Sequence, residues 1–191
     1  MSMKNLQTQY SKDVDFVRDA FALVGKIDNY YHRHPFRTLV CIRSYGLRHK
    51  EVHIKTLNDL SLACLGHDLL EDTKVTPKEI EKRWGNNVLA YIKSMTNKVG
   101  DSDFSDYIKQ LKNGSEEVML IKLSDIHSNV FNSVNNFKTL DKKWVKSFWI
   151  PLLDTYSKEL FTYNFKKYPN TSFAMIRSIK RETKILKNLL K

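Results

Sequence analysis

Apolar residues return every three or four positions along most of this chain, the spacing of helices with one buried face. Val14, Phe16, Val17, Ala20, Phe21 and Val24 predict a first helix that closes near Gly25. Pro35 to Tyr45 predict a second, with Pro in the first turn and Gly46 just past the end. The basic stretch from Gly46 to Ile54 reads as a loop or irregular insert, and Leu57 to Leu70 as an apolar, buried helix. Thr76-Pro77-Lys78-Glu79 is a capping box with Pro at the first helical position, so a short helix starts there and ends by Trp84-Gly85. Val88 to Met95 continues as helix, and Asn97 to Asp106 has the Gly, Ser and Asp content of a loop. Ser115 can cap a helix from Glu116 to about Val134. Trp144 to Phe165 and Thr171 to Lys191 complete the pattern, with no convincing strand alternation and no internal repeat.

The fold expected is all-α. A helical core at about 13–134 is followed by a C-terminal helical extension at about 138–191, together one domain spanning 1–191. The last helix puts Phe173, Ile176, Ile179, Leu186 and Leu190 on one side, with Lys180, Arg181, Lys184, Lys187 and Lys191 mostly on the other. A membrane surface or partner helix would suit such a face, but packing on the core is the expectation. Trp144, Phe148 and Trp149 are expected in the core as well.

Composition narrows the class. Six Gly and four Pro in 191 residues leave little room for a long linker. Cys41 and Cys64 both sit in apolar surroundings, and no CxxC or Cys/His zinc spacing occurs, so neither a disulfide framework nor a structural zinc is expected. The first fifteen residues are polar, and no segment approaches the ~20 apolar residues of a membrane span; a cytoplasmic protein is expected. The net charge of +11 suits a polyanionic partner, yet the lysines are spread along helices, as on an ordinary solvated surface. Nucleic acid as a partner is therefore allowed but not favoured.

The chemistry concentrates in His67-Asp68-Leu69-Leu70-Glu71-Asp72-Thr73. In a continuous helix His67 would share a face with Glu71 and Asp68 with Asp72, one pair suited to a metal and a second carboxylate pair one turn on. Charge at the end of an apolar segment needs compensation, which a divalent cation supplies. Two further ligands stand out. His34 precedes Pro35 in Tyr31-His32-Arg33-His34-Pro35, and Asp125 lies on a helix where Val118, Lys122, Asp125, Asn129 and Asn132 share one face. Two imidazoles and two carboxylates suit Mn²⁺ or Fe²⁺ with open positions better than a closed zinc site. Glu71 and Asp72, beyond the ligands, would orient water or shuttle protons. His49 and His53 are four apart but lie in basic, irregular surroundings and are expected in solvent; His32 and His127 are not expected to be ligands.

These residues resemble the RelA/SpoT-type HD phosphohydrolases, which include the small alarmone hydrolases. His67-Asp68-x-x-Glu71-Asp72-Thr73 is similar to the family's hydrolase signature. Its Tyr-x-x-His-Pro motif matches Tyr31 to Pro35, and its Val-Thr helix start and aromatic-Gly match Val75 to Glu79 and Trp84-Gly85. Its Val-Thr-Lys region resembles Met95 to Lys98, and its Lys-Leu-Ala-Asp-x-x-x-Asn helix matches Lys122 to Asp125 and Asn129. The resemblance covers roughly Asp13 to Val134. It implies an HD-domain helical bundle, Mn²⁺ held by His34, His67, Asp68 and Asp125, and Glu71 and Asp72 as the catalytic acidic pair. It also implies substrate contacts from Lys26, Tyr31 and Asn129. Gly25 stands where the family has Arg, Asp125-Ile126-His127-Ser128-Asn129 replaces Asp-Arg-Leu-His-Asn, and Ile27 to Tyr30 replaces a Ser-Gly loop. The interval from His34 to His67 is also longer than usual. These departures touch the substrate pocket more than the metal.

By this resemblance the reaction is removal of the 3′-pyrophosphate from ppGpp or pppGpp, giving GDP or GTP and pyrophosphate. Synthesis of the same alarmone is not expected, since no synthetase-sized segment follows Val134. The alternatives are an HD phosphohydrolase for another nucleotide, such as a nucleoside 5′-phosphate or NADPH, and a non-catalytic basic module that binds nucleic acid.

Overall fold

The computed structural model describes residues 10–97 and 104–191. Lys98 and most of the expected 97–106 loop fall outside the described residues, as does the side chain of His32. Among the described residues the chain is helical with no strand: α1 (Ser11–Ala22), α2 (Asn29–His49), α3 (Ile54–Gly66), the single turn α4 (Leu69–Asp72), α5 (Pro77–Trp84), α6 (Asn86–Met95), α7 (Phe104–Lys112) and α8 (Glu116–Asn135). A short α-turn, α9 (Lys142–Trp144), then runs through a π-helical turn (Val145–Trp149) into α10 (Ile150–Glu159), and α11 (Pro169–Leu189) ends the chain. The all-α expectation holds.

Three helices make the frame: α2, α3 and α8 pack against one another. α1 closes one side over α2, α3 and α4, α6 packs on α3 and α8, and α11 lies along α8 and α2. Leu39, Ile42, Leu57, Leu60, Leu65, Met119, Leu120 and Leu123 fill the shared centre and are essentially without exposed surface. Each such side chain contributes roughly 1.5–3 kcal/mol of transfer free energy. A buried arginine ties the frame together: Arg43 on α2 donates to Tyr10 Oη and to Asn58 Oδ1 on α3.

Local chemistry sets the boundaries. Thr76 and Glu79 complete the capping box, with Pro77 opening α5. Ser115 Oγ accepts from Val118 N at the start of α8. Three expected boundaries move. α2 begins six residues before Pro35, because the Asp28 carboxylate accepts from the Tyr30 and Tyr31 amides and caps the chain there. Pro35 lies inside that helix, which runs through Gly46 and ends where Lys50 turns left-handed at φ 57°. His49 is therefore helical and half-buried, while His53 is exposed and caps α3 by accepting from Lys55 N. The helix expected to reach Phe165 stops at Glu159.

The apolar helix expected from Leu57 to Leu70 is also broken. α3 ends at Gly66, where an added Cβ would meet the Trp84 ring at 2.5 Å. Only glycine lets Trp84 approach this closely. The chain then passes through Asp68 at φ −92°, ψ −2°, the sparsely populated bridge region, before the single turn of α4. Thr73 closes that turn, donating from Oγ1 to Leu69 O and accepting from Val75 N.

On α11 the buried stripe is Thr171, Ser172, Met175, Ile179, Glu182 and Leu186. Phe173, expected on the packed side, is 65% exposed. Trp149 is buried, but Trp144 and Phe148, also expected in the core, are 43% and 52% exposed. No helix among the described residues is long and apolar enough to cross a membrane.

Candidate metal centre

The break between α3 and α4 aims His67 and Asp68 at one point. His67 Nε2 lies 3.0 Å from Asp68 Oδ1, and His34 Nε2, from the second turn of α2, lies 3.2 Å from His67 Nε2. The ligand atoms of His34, His67 and Asp68 all fall within 4.8 Å of one another, a cluster that could hold a metal ion. α8 brings Asp125 to the same place, with Oδ1 3.2 Å from His34 Nε2 and 3.6 Å from His67 Nε2. Bonds of about 2.1 Å at right angles would put neighbouring ligand atoms about 3.0 Å apart, so the spacing fits a small divalent cation.

Hydrogen bonding behind the ligands supports that fit. His67 Nδ1 is 2.8 Å from the Cys64 carbonyl, which only accepts, so this nitrogen carries a proton and Nε2 is the nitrogen turned to the cluster. His34 Nδ1 pairs with Ser128 Oγ at 3.0 Å. Cys64 and Cys41 are free and buried; burial pushes the Cys41 thiol up to about 12, so neither is a reactive thiolate.

Burial disfavours the charged form of each group, and the cluster offsets this by pairing. Asp68 stays below the usual carboxylate range because the His67 charge and hydrogen bond outweigh desolvation. For Asp125 the Lys122 ammonium does the same and holds it well below that range. Conversely, the two carboxylates raise His67 well above the ordinary histidine value against its burial. The sequence places Lys122 on one helix face with Asp125 and in a motif match, without a role of its own. Lys122 is 8% exposed, donates from Nζ to Asp125 Oδ2 at 2.9 Å and sits over the rings of Tyr107 and Tyr156. The i, i+3 spacing from Lys122 to Asp125 is what lets the two meet.

The other expected site residues lie around this cluster. Asp72 turns outward to an ion pair with Lys26, 2.6 Å from Oδ1 to Nζ. Partial burial opposes the Lys26 charge, but Asp72 outweighs it and raises its pKa. Gly25, at φ 78°, makes the turn that brings Lys26 to this position. Glu71 faces solvent and accepts from Asn97 N at 2.6 Å. Desolvation of its carboxyl, with the Asp68 charge, outweighs that bond and raises its pKa. Thus Asp72 and Glu71, although adjacent to the ligands in sequence, diverge from them.

Tyr31 packs on Phe21 beneath Lys26, whose Nζ is 4.9 Å from its ring centre. Tyr30, not singled out from the sequence, stacks on His34 with ring centres 4.9 Å apart and planes 7° from parallel. Its hydroxyl donates to Asn129 Oδ1, while Asn129 Nδ2 donates to Asp125 Oδ1. The i, i+4 spacing from Tyr30 to His34 was the available signal. Beyond Tyr30 opens a cavity of about 300 Å³, with Asn129, Asn132, Trp144, Phe148 and Trp149 in its wall. His127 faces away from the cluster, with Nε2 3.1 Å from Ser178 Oγ.

The fold and site define an all-helical bundle with a His-His-Asp cluster suited to a divalent ion. No family model matches the chain. An alignment over 107 residues, covering 52% of this chain, is 31% identical to the guanosine-3′,5′-bis(diphosphate) 3′-pyrophosphohydrolase of Aquifex aeolicus (strain VF5). The matched part is 14% of that protein's length.

Proposed function

We propose that this chain is a metal-dependent phosphohydrolase of the HD type, one domain over 1–191, and that its substrate is the 3′-pyrophosphate of ppGpp or pppGpp. The observation that carries the reading is the meeting of four ligand atoms from α2, the α3–α4 break and α8, with His67 Nδ1 already bound to a carbonyl. The similarity to a 3′-pyrophosphohydrolase supports the substrate.

His34, His67, Asp68 and Asp125 would hold the ion, manganese by the resemblance. When bound, it supplies Lewis-acid polarisation of a phosphoryl oxygen and lowers the pKa of water. The chain's own groups do the rest. Lys122 and Asn129 fix the Asp125 carboxylate. Glu71, its proton affinity raised, takes a proton from the attacking water as its oxygen bonds to the phosphorus on O3′. The O3′–P bond breaks, the proton that Glu71 took from the water is returned to O3′, and pyrophosphate leaves GDP or GTP. Lys26 exchanges Asp72 for substrate phosphate, which frees the Asp72 carboxylate as an acid–base group. The aromatic cavity beyond Tyr30 accepts the base, with Asn129 and Asn132 offering hydrogen bonds.

A nucleotide with fewer phosphates is the second reading. Gly25 leaves open space where the resembling family has Arg, and Lys26 is already neutralised by Asp72.

The test is hydrolysis of ppGpp by the purified chain with Mn²⁺ and with EDTA, products separated by ion exchange. Mn²⁺-dependent GDP and pyrophosphate are expected. Turnover of a nucleoside 5′-phosphate or NADPH with ppGpp untouched would transfer the site to the second reading. No turnover of any of them, with metal bound, would end the hydrolase reading.

A further inference from the structure

We propose a second, metal-independent anion site, in the groove between the C-terminal half of α2 and the first turns of α11, which takes a nucleoside polyphosphate. The groove encloses about 680 Å³ and is lined by Arg48, His49, Arg177 and Arg181, with Tyr45 and Phe173 as aromatic walls. That volume lies within the ~300–1,000 Å³ of small-ligand sites.

Among the described residues, the charges in this groove are only partly balanced. Arg177 and Arg181 stand one turn apart on the same helix face, where like charges repel. Arg181 is paired, donating from Nε and Nη2 to Glu182 Oε1. Arg48 and Arg177 have no carboxylate partner among the described residues. Arg48 instead lies over the Tyr45 ring, 5.9 Å from its centre. The other nearby acid, Glu51, is consumed: its two oxygens accept from the Asn170 and Thr171 amides and the Asn170 side chain. Glu51 therefore occupies the N-terminus of α11, and an incoming anion must be held by the guanidinium groups. Their planar forks match phosphate oxygens in pairs. Phe173, 65% exposed beside these cations, gives a base a flat surface to stack on. His49 Nε2, in the wall, is sealed from solvent and lacks a hydrogen-bond partner among the described residues.

The groove is separate from the metal cluster. His127 reaches Ser178 and Tyr45, both in the groove wall, and Asp125 lies two residues earlier on α8. Two helical positions are about 200° apart, so the cluster and the groove lie on opposite faces of α8. The proposal therefore does not depend on what the metal centre hydrolyses.

Calorimetric titration of the full chain with GTP in EDTA tests it. One saturable event is expected, retained in Asp68→Ala and weakened at least tenfold in the Arg48→Ala/Arg177→Ala double variant. The Arg48→Lys/Arg177→Lys variant keeps the charges but loses the forks, and should fall between; its thermal melt and that of the Ala variant confirm folding. No saturable binding would overturn the proposal. So would binding lost in Asp68→Ala or Lys26→Ala but indifferent to the arginines, which would assign the nucleotide to the metal site. Equal affinity for inorganic tripolyphosphate would remove the nucleoside from the proposal. Much tighter binding of a ~20-nucleotide RNA to the same arginines, steeply dependent on salt, would replace it with nucleic acid.

Discussion

On one face of α8, Asp125 is buried with Lys122, Asn129 and two imidazoles against it; on the other, His127 meets Ser178, and past it three arginines stand in water. The first face gathers acids and satisfies each with a cation or a hydrogen bond. The second gathers cations and, among the described residues, leaves two of them without a carboxylate. Buried charges must be paired, because an unpaired one costs several kcal/mol, whereas exposed charges are solvated and can be left for a ligand. The two faces should therefore respond differently to substitution. Changes on the acid side will move stability and metal binding together, and changes on the arginine side will move binding alone.

Asp68→Ala should give the largest effect. It removes a ligand atom 3.0 Å from His67 Nε2, and bound metal should fall to background. Turnover should drop by more than the ~100-fold that loss of supporting hydrogen bonds costs elsewhere. Glu71→Gln separates chemistry from binding: metal content stays normal while single-turnover rate falls about 10²–10⁴-fold. The sign of its stability effect is opposite to that of an ordinary paired acid. With its pKa raised, Glu71 contributes stability below the unfolded carboxylate value and loses it as pH rises through the folded one. At pH 7–8 Glu71→Gln removes that cost, and since Gln Oε1 can still accept from Asn97 N, Tm should stay level or rise. A normal rate in Glu71→Gln would remove Glu71 from the mechanism. Metal affinity itself should weaken as pH falls, since the two carboxylates hold a proton on His67 beyond the ordinary histidine range and the ion must displace it. Mn²⁺ titrations at two pH values read this directly.

Lys122→Met comes next. It fills similar space but strands the Asp125 carboxylate in the core, and should destabilise the metal-free chain by about 3–5 kcal/mol. Divalent metal supplies a replacement charge, so Mn²⁺ should restore more of the lost Tm in Lys122→Met than it adds to the parent protein. Equal gains in the two would mean that Asp125 does not face the ion.

Much of the acid side was legible before any coordinates, because its signals are local. His67-Asp68 and the Thr76–Glu79 box are contiguous, and Lys122, Asp125 and Asn129 are related by helical spacing. What failed also failed for local reasons. Pro35 and Gly46 imitate a helix start and stop, but the Asp28 cap and the left-handed Lys50 set the true ends. The break after Gly66 depends on Trp84, eighteen residues further on, packing where a Cβ would stand. The aromatic wall at Trp144 and Phe148 was assigned to the core on hydrophobicity, which does not report which side of the π-helical turn faces Tyr30. The arginine groove could not be read at all, because Arg48 and Arg177 lie far apart in sequence and meet only when α11 folds back on α2.

The smallest effect expected is the sharpest check on the contrast between the two faces. Arg177 is exposed and without an acid partner among the described residues, so Arg177→Ala should change unfolding free energy by no more than about 0.5 kcal/mol. Arg181→Ala frees the 8% exposed Glu182, but the arginine end of that pair is 70% exposed, and water screens it. Its cost should therefore be under about 1 kcal/mol. Denaturant melts of both variants beside Lys122→Met give the ranking in one experiment. If Arg177→Ala costs as much as Lys122→Met, the groove arginines are part of the fold's own balance of charge, and the uncompensated cations that motivate a second anion site are not free to bind one.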